Sequence, residues 1–249
     1  MQELEHTPCL ILTGGLGTRL RRAVADVPKT MAPVAGKPFL EYLITWISRA
    51  GFRQTVLCVG YRSRQIQEHF GDGEKFGIRL IYSTETKPLG TWGAIRQAKQ
   101  WAGQSEFLIL NGDSWLDLNL RQLLEFHRTK RALASLALTQ VENPARYGSV
   151  KLNTAGKVVD FTEKNSNGAM LINAGVYVFS QEIFSAAPAR ARSLEKEVFP
   201  ALIGKQLYGL PVQGLFIDIG MPKEYNHLCR NSSAWLRALG IRDESDARC

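Results

Sequence analysis

Leu10-Ile11-Leu12-Thr13-Gly14-Gly15-Leu16-Gly17-Thr18-Arg19-Leu20 sets a glycine-rich turn directly behind a short apolar run. The run from Cys9 to Thr13 reads as a buried strand. Glycines permit positive φ and let backbone N–H groups approach phosphate oxygens closely. The stretch therefore reads either as a tight strand-to-helix connection or as a phosphate cradle. Gly15-x-Gly17 opens like a dinucleotide fingerprint, but Leu20 stands where the third Gly belongs, with Arg19 beside it. The Gly-Lys-Ser/Thr ending of a P-loop is missing as well. What remains is a turn armed with a guanidinium, whose planar fork suits several phosphate oxygens.

Outward from this turn, short Ile/Leu/Val runs alternate with segments of helical period, the pattern of βαβ units and a parallel sheet. Phe39 to Ala50 carries an apolar helical stripe at Phe39, Leu40, Leu43, Ile44 and Ile47. Strands are predicted at 55–59, 78–82 and 107–110, and helices at 63–70, 91–101 and 120–130. After Leu133 the character changes to short strands at 134–138, 149–152 and 158–162, separated by turn residues such as Asn153 and Gly156. A strand at 170–179, a helix at 194–203, a last strand at 214–217 and a helix from Pro222 complete the chain. The prediction is one α/β domain over 1–249, Rossmann-like and doubly wound with a mainly parallel sheet. Residues to about 132 form its first part, and an antiparallel extension with the C-terminal helix spans about 133–230.

The 249 residues are 45% hydrophobic and 22% charged, which suits a globular unit with a sizeable core rather than a disordered chain. Lys plus Arg number 31 against 23 Asp plus Glu, a net charge of +8 that suits an anionic partner. Between Gly14 and Lys37 lie Arg19, Arg21, Arg22, Lys29 and Lys37, opposed by Asp26 and interrupted by Gly and Pro. Charge alone reads equally as a phosphate pocket or as a solvated basic face; it is not the unbroken basic run of a nucleic-acid patch. Cys9, Cys58, Cys229 and Cys249 are scattered, without metal or redox spacing. No 18-residue apolar run and no N-terminal leader pattern are present, so a cytoplasmic location without a membrane partner is expected.

Pro28-Lys29-Thr30-Met31-Ala32-Pro33 and Gly36-Lys37-Pro38 bring two lysines into the neighbourhood of Arg19. The glycine-rich turn and these segments together resemble the signature of the sugar-1-phosphate nucleotidyltransferases, and the likeness runs to about Tyr225. The resemblance implies that Leu12, Gly14, Gly15, Gly17 and Thr18 surround the triphosphate, that Arg19 and Lys29 act in catalysis, and that Lys37 assists the nucleotide phosphates. Thr13 and Thr30 replace the commoner Ala and Pro of that family.

Asp113, after an apolar strand in Asn111-Gly112-Asp113, should sit at the carboxyl end of the sheet, where open α/β folds bind ligands. Asp218, in Phe216-Ile217-Asp218-Ile219-Gly220, lies in an apolar strand and needs a compensating metal or positive group. Read singly, one is equally a turn or capping Asp and the other a strand-end ion pair. The resemblance implies that both hold Mg²⁺, an ion that takes one or two carboxylates plus substrate phosphates. It also implies that Glu85, Pro88, Gly90 and Thr91 read the base, in a form nearer to guanylyltransferases, although Trp92 stands where a small residue is commoner. Gly148, Glu163, Lys164, Asn173 and Gly175 match the sugar-phosphate side.

The segment from Ser193 to Pro200 with Tyr208-Gly209 and Phe216 to Tyr225 is most similar to the D-glycero-α-D-manno-heptose 1-phosphate guanylyltransferases. The reaction so implied joins GTP to that heptose phosphate, giving GDP-heptose and pyrophosphate for bacterial surface glycan synthesis. A phosphate nucleophile needs no general base, in keeping with the lack of a convincing catalytic residue among His6, His69, His127 and His227. The alternatives are mannose 1-phosphate as substrate, UTP or CTP as donor, and a catalytically silent sugar-nucleotide-binding regulator. A dinucleotide oxidoreductase is disfavoured by Leu20. Homo-oligomers are compatible with the sequence.

Overall fold

The computed structural model describes residues 2–15, 17, 19–20, 24, 27–141, 147–163 and 170–241. Strands are β1 (Cys9–Leu12), β2 (Pro33–Val34), β3 (Lys37–Pro38), β4 (Gln54–Val59), β5 (Arg79–Thr84), β6 (Glu106–Asn111), β7 (Ser114–Leu116), β8 (Ala134–Val141), β9 (Gly148–Leu152), β10 (Val158–Glu163), β11 (Met170–Ser180), β12 (Leu207–Pro211) and β13 (Phe216–Asp218). Helices are α1 (Gln2–Glu5), α2 (Phe39–Ala50), α3 (Ser63–Phe70), α4 (Gly90–Gln97), α5 (Leu120–Thr129), α6 (Ile183–Ala186), α7 (Phe199–Leu202), α8 (Pro222–Arg230) and α9 (Ser232–Ala238).

Among the described residues, nine strands form one sheet in the order β10-β9-β11-β6-β1-β4-β5, with β8 pairing β11 and β12. The β6-β1-β4-β5 half is parallel, and β11 joins it antiparallel to β6. The fold is the expected doubly wound α/β fold with an antiparallel extension. Its central strands are buried on both faces, as parallel sheets require. Cys9 and Ile11 of β1, Leu57 and Val59 of β4, and Leu108 and Leu110 of β6 pack into one core with α2, α5, α8 and α9. Leu10, Val56, Cys58, Phe107 and Ile109 point the other way, into a second core with α4 and α7. The alternation is the period-2 consequence of the pleat.

Helix α2 follows Pro38, whose φ of −56° is preset for helix entry, and stops at Gly51, whose φ of 109° only glycine adopts without strain. Two predicted helices differ in the structure. The stretch 91–101 breaks after Gln97 and continues as a 3₁₀ turn, Lys99–Trp101. The stretch 194–203 opens as a wide π-type turn, Leu194–Val198, capped by the Ser193 side chain, before α7. Pro200 has no N–H with which to continue a regular ladder from Leu194.

The predicted strand at 214–217 is β13, which leaves the main sheet and pairs antiparallel with β7, placing Asp218 opposite Ser114. β7 and β12 were not predicted. β12 holds Gly209 and Pro211 and lies parallel to β8 at the margin of the sheet, where Pro removes no essential ladder bond. Among the described residues, no helix is long and apolar enough to cross a membrane.

Candidate active site

The carboxyl ends of β1, β4 and β6 open into two neighbouring cavities. One, of about 270 Å³, is lined by Leu12, Gly14, Gly15, Glu85, Pro88, Gly90 and Thr91, with Thr30 and Ala94 beneath. The other, of about 260 Å³, is lined by Arg19, Asn173, Gly175, Asp218 and Glu195, with Tyr147, Phe161 and Phe216 as aromatic walls. Lys29, Asn111 and Asp113 belong to both. Of the expected nucleotide residues, Leu12, Gly14, Gly15, Glu85, Pro88, Gly90, Thr91 and Asp113 line the first cavity, whereas Gly17 and Lys37 do not. Arg19, expected at the triphosphate, lines the second, where Asn173 and Gly175 are the expected sugar-side residues, and the expected catalytic Lys stands on the shared wall.

Local chemistry explains each placement. Thr13 ends β1 by donating its N–H at 2.9 Å and its hydroxyl at 2.8 Å to the Cys58 carbonyl, which anchors the glycine turn to β4. The Thr at this position therefore has a structural use that an Ala would lack. Gly14 lies against Glu85: a Cβ there would meet the Glu85 Oε1 at 3.0 Å. Gly17 has φ +60°, and a Cβ would meet the Lys29 Cβ at 2.8 Å, so the turn folds directly over the lysine stem. Gly15 has open space within 4 Å, as a backbone that receives a ligand must.

The Lys29 ammonium is ion-paired to the Asp113 carboxylate, with the lysine side chain 12% exposed. Asp218 reaches the same cluster because the β7–β13 ribbon folds back, and the Ile219 N–H donates to the Asp113 carbonyl at 2.9 Å. Burial, and then the nearby Asp113 charge, raise the Asp218 carboxyl above the usual range; Lys29, the Gly220 N–H and Tyr147 pull it back. The Gly220 bond to Asp218 Oδ1 measures 2.6 Å. Two acidic oxygen donors beside one ammonium form a site that gains from a further cation. Among the described residues, no group of three or more His, Cys, Asp or Glu could cage a metal. The donor set fits Mg²⁺ shared with substrate phosphates.

Glu85 is pushed up by burial and partly restored by the Leu89 N–H, which donates to Oε2 at 3.0 Å. Asn173 is locked at both ends: Nδ2 donates to the Tyr177 hydroxyl at 2.8 Å and Oδ1 accepts the Gly175 N–H at 3.1 Å. Gly175 has φ +79° in a register shift of β11. Arg19 lines the sugar-side cavity, where its guanidinium lies 3.7 Å from the Met221 sulfur. Lys37 lines neither cavity; its ammonium lies 3.7 Å from Glu41 on α2. Gly148 and Glu163 are register partners across β9–β10. Thr18 and Lys164 lie outside the described residues.

Asn111 and Glu195 line the site without having been singled out. Asn111 adjoins the turn that carries Asp113, and that position was its available signal. Glu195 had none, because nothing in its local pattern shows that the turn after Ser193 folds back to the cavity.

Residues 9–232 match the nucleotidyl transferase family. The chain belongs to that family. This nucleotidyl transferase is 36% identical over 228 residues to the D-glycero-alpha-D-manno-heptose 1-phosphate guanylyltransferase of Campylobacter jejuni, covering 90% of this chain and 99% of that one. It is 38% identical over 224 residues to the mannose-1-phosphate guanylyltransferase catalytic subunit beta of Drosophila pseudoobscura pseudoobscura, covering 88% of this chain and 60% of that one. The chain thus spans about 60% of the length of the mannose-1-phosphate relatives. HddC from Yersinia pseudotuberculosis superposes with a TM-score of 0.81 at 29% identity, over 91% of this chain and 99% of that one. HddC has also been solved in complex with GMP-PN.

Proposed function

We propose that this nucleotidyl transferase is a magnesium-dependent sugar-1-phosphate guanylyltransferase, which joins GTP to D-glycero-α-D-manno-heptose 1-phosphate and releases pyrophosphate. The observation that carries the proposal is the meeting of two cavities at Lys29, Asn111 and Asp113. A site that joins two anionic substrates needs two pockets with positive charge at their junction.

In the proposed reaction an oxygen of the sugar phosphate attacks the α-phosphorus of GTP. A new P–O bond forms as the bond to the β-phosphate breaks, and its electron pair leaves with pyrophosphate. The nucleophile is already an anion, so no general base is needed; among the described residues, no histidine lines either cavity. Catalysis then consists of alignment and charge neutralisation. Gly14 and Gly15 present backbone to the triphosphate, Lys29 neutralises charge at the junction and Arg19 adds a second positive group. Asp113 and Asp218 would hold Mg²⁺, which supplies charge neutralisation to the phosphates when bound. Glu85 accepts hydrogen bonds from the guanine N1–H and amino group, a pair that uracil and thymine do not present.

Support for the guanine base comes from both groups of relatives, which are guanylyltransferases. Support for the heptose comes from the Campylobacter jejuni enzyme and from the motif spanning Ser193 to Tyr225. Mannose 1-phosphate is the second reading, favoured by the 38% identity of the Drosophila enzyme. The test is pyrophosphate release with Mg²⁺, each nucleoside triphosphate being offered against both sugar phosphates. Release confined to GTP and the heptose phosphate is expected. Preference for mannose 1-phosphate, or for UTP or CTP, overturns that assignment.

A further inference from the structure

We infer that Glu195 recognises sugar hydroxyls and is aimed into the sugar cavity by Thr91 from the nucleotide cavity, so that one clasp joins the two subsites. This inference rests on the proposed reaction. Glu195 lines the sugar-side cavity although it sits in the wide π-type turn after Ser193, outside the sheet. Its Oε2 accepts from the Thr91 hydroxyl at 3.2 Å and from the Ser193 hydroxyl at 3.1 Å. Thr91 Oγ1 in turn accepts the Leu194 N–H at 2.8 Å, and Ser193 Oγ accepts the Lys196 N–H at 3.2 Å. Each hydroxyl has a single proton and each commits it to the same carboxylate oxygen. Among the described residues, every hydrogen bond to Glu195 goes to Oε2, which leaves Oε1 as an acceptor for the cavity.

Several other polar groups there are already committed, while the buried Asn111 Oδ1 has no hydrogen-bond partner and is a further acceptor on the cavity wall. Asn173 is bonded at both ends of its amide, and Asp113 and Asp218 both interact with Lys29. Among the described residues that line the cavity, Glu195 is the carboxylate left for the hydroxyl donors that a sugar brings. A second set of bonds keeps the two loops from moving independently. The Trp92 N–H donates to the Arg192 carbonyl at 2.9 Å, and the Arg192 guanidinium donates to the Pro88 and Leu89 carbonyls. Gly90, at φ +79°, has no room for a Cβ against the Arg192 carbonyl.

The test titrates the full chain with mannose 1-phosphate by calorimetry, with GTP affinity as the internal reference for the Glu195 variants. Glu195→Ala is expected to weaken mannose 1-phosphate about tenfold or more, the usual scale for losing a hydrogen bond to a charged group. Glu195→Gln, which keeps the shape, should weaken it in the same direction. Thr91→Val should weaken the sugar phosphate while Thr91→Ser restores it. The Thr91→Val/Glu195→Ala double variant should bind no worse than Glu195→Ala alone, because the pair acts as a unit. An unchanged sugar-phosphate Kd in Glu195→Ala, or additive effects of the two changes, overturns the clasp. Failure of the proposed reaction looks different: the unmodified chain would bind mannose 1-phosphate yet release no pyrophosphate, and the Kd series would still decide the role of Glu195.

Discussion

Gly175→Ala should injure stability and turnover together. The residue sits at φ +79°, and an added Cβ would meet the Ser114 Oγ at 2.5 Å, the Asn111 Nδ2 at 2.8 Å and the Asn111 Cβ at 3.0 Å. The left-handed backbone costs a non-glycine residue about 1–2 kcal/mol, and overpacking adds about 1–3 kcal/mol. The sum, about 2–5 kcal/mol, corresponds to a fall in Tm of roughly 5–15 °C for a chain of this size. Relief of the clash must move Asn111, which belongs to the wall shared by both cavities, and a displacement there should lower kcat about a hundredfold. Gly36→Ala is the control: φ is +81° but nothing lies within 4 Å of the added atom. It should show the conformational cost alone. Calorimetric melting of both variants and steady-state pyrophosphate release give the two readouts. A Gly175→Ala protein that melts with Gly36→Ala and turns over normally would refute the reasoning.

Gly15→Ala should melt like the unmodified chain, since nothing lies within 4 Å of its added Cβ, yet raise the KM for GTP if this backbone receives phosphates; an unchanged KM rejects the cradle. Lys29→Met should lower kcat by about 10²–10³, the scale for losing one preorganised electrostatic partner, and normal turnover would remove the lysine from the mechanism. His127 is 2% exposed and held between the Ser135 and Ser180 hydroxyls at 2.9 Å on each side. Burial, then Arg128, lowers its imidazole to about 4 from an ordinary 6.5. Its neutral form is favoured in the fold, so its contribution is complete above pH 6.5 and is lost as pH falls toward about 4. That contribution is about 3 kcal/mol. Urea titrations of the native chain and His127→Leu across this range should show the acid loss in the native chain and a smaller one in the variant; equal slopes would reject the assignment.

The parallel half of the fold was legible because strands buried on both faces read as continuous apolar runs, and α2 carries its stripe openly. β7 and β12 were hidden for opposite reasons. Ser114–Leu116 is too short to show a period, and Gly209 with Pro211 argues against a strand until the neighbouring β8 is present. Much the same division holds for the site. Gly14, Lys29 and Asp113 are marked by local sequence, whereas the approach of Asp218 to Asp113 depends on a ribbon formed between residues about a hundred apart. Glu195 acquires its meaning from tertiary placement alone, whereas Asn111 had its position beside the Asp113 turn as a signal. Lys37, close to the others in sequence, is turned toward Glu41 by the β2–β3 hairpin and the start of α2.

The proposed reaction transfers the α-phosphoryl group at the wall shared by the two cavities. It is tested most directly by following label from GTP carrying ³²P at either the α or the γ position, in the presence of Mg²⁺ and a sugar 1-phosphate. Label from the α position should appear in a sugar nucleotide and label from the γ position in pyrophosphate, with both products lost on chelation and in Asp218→Asn. Transfer of γ label to the sugar phosphate, or its release as orthophosphate, would contradict the account.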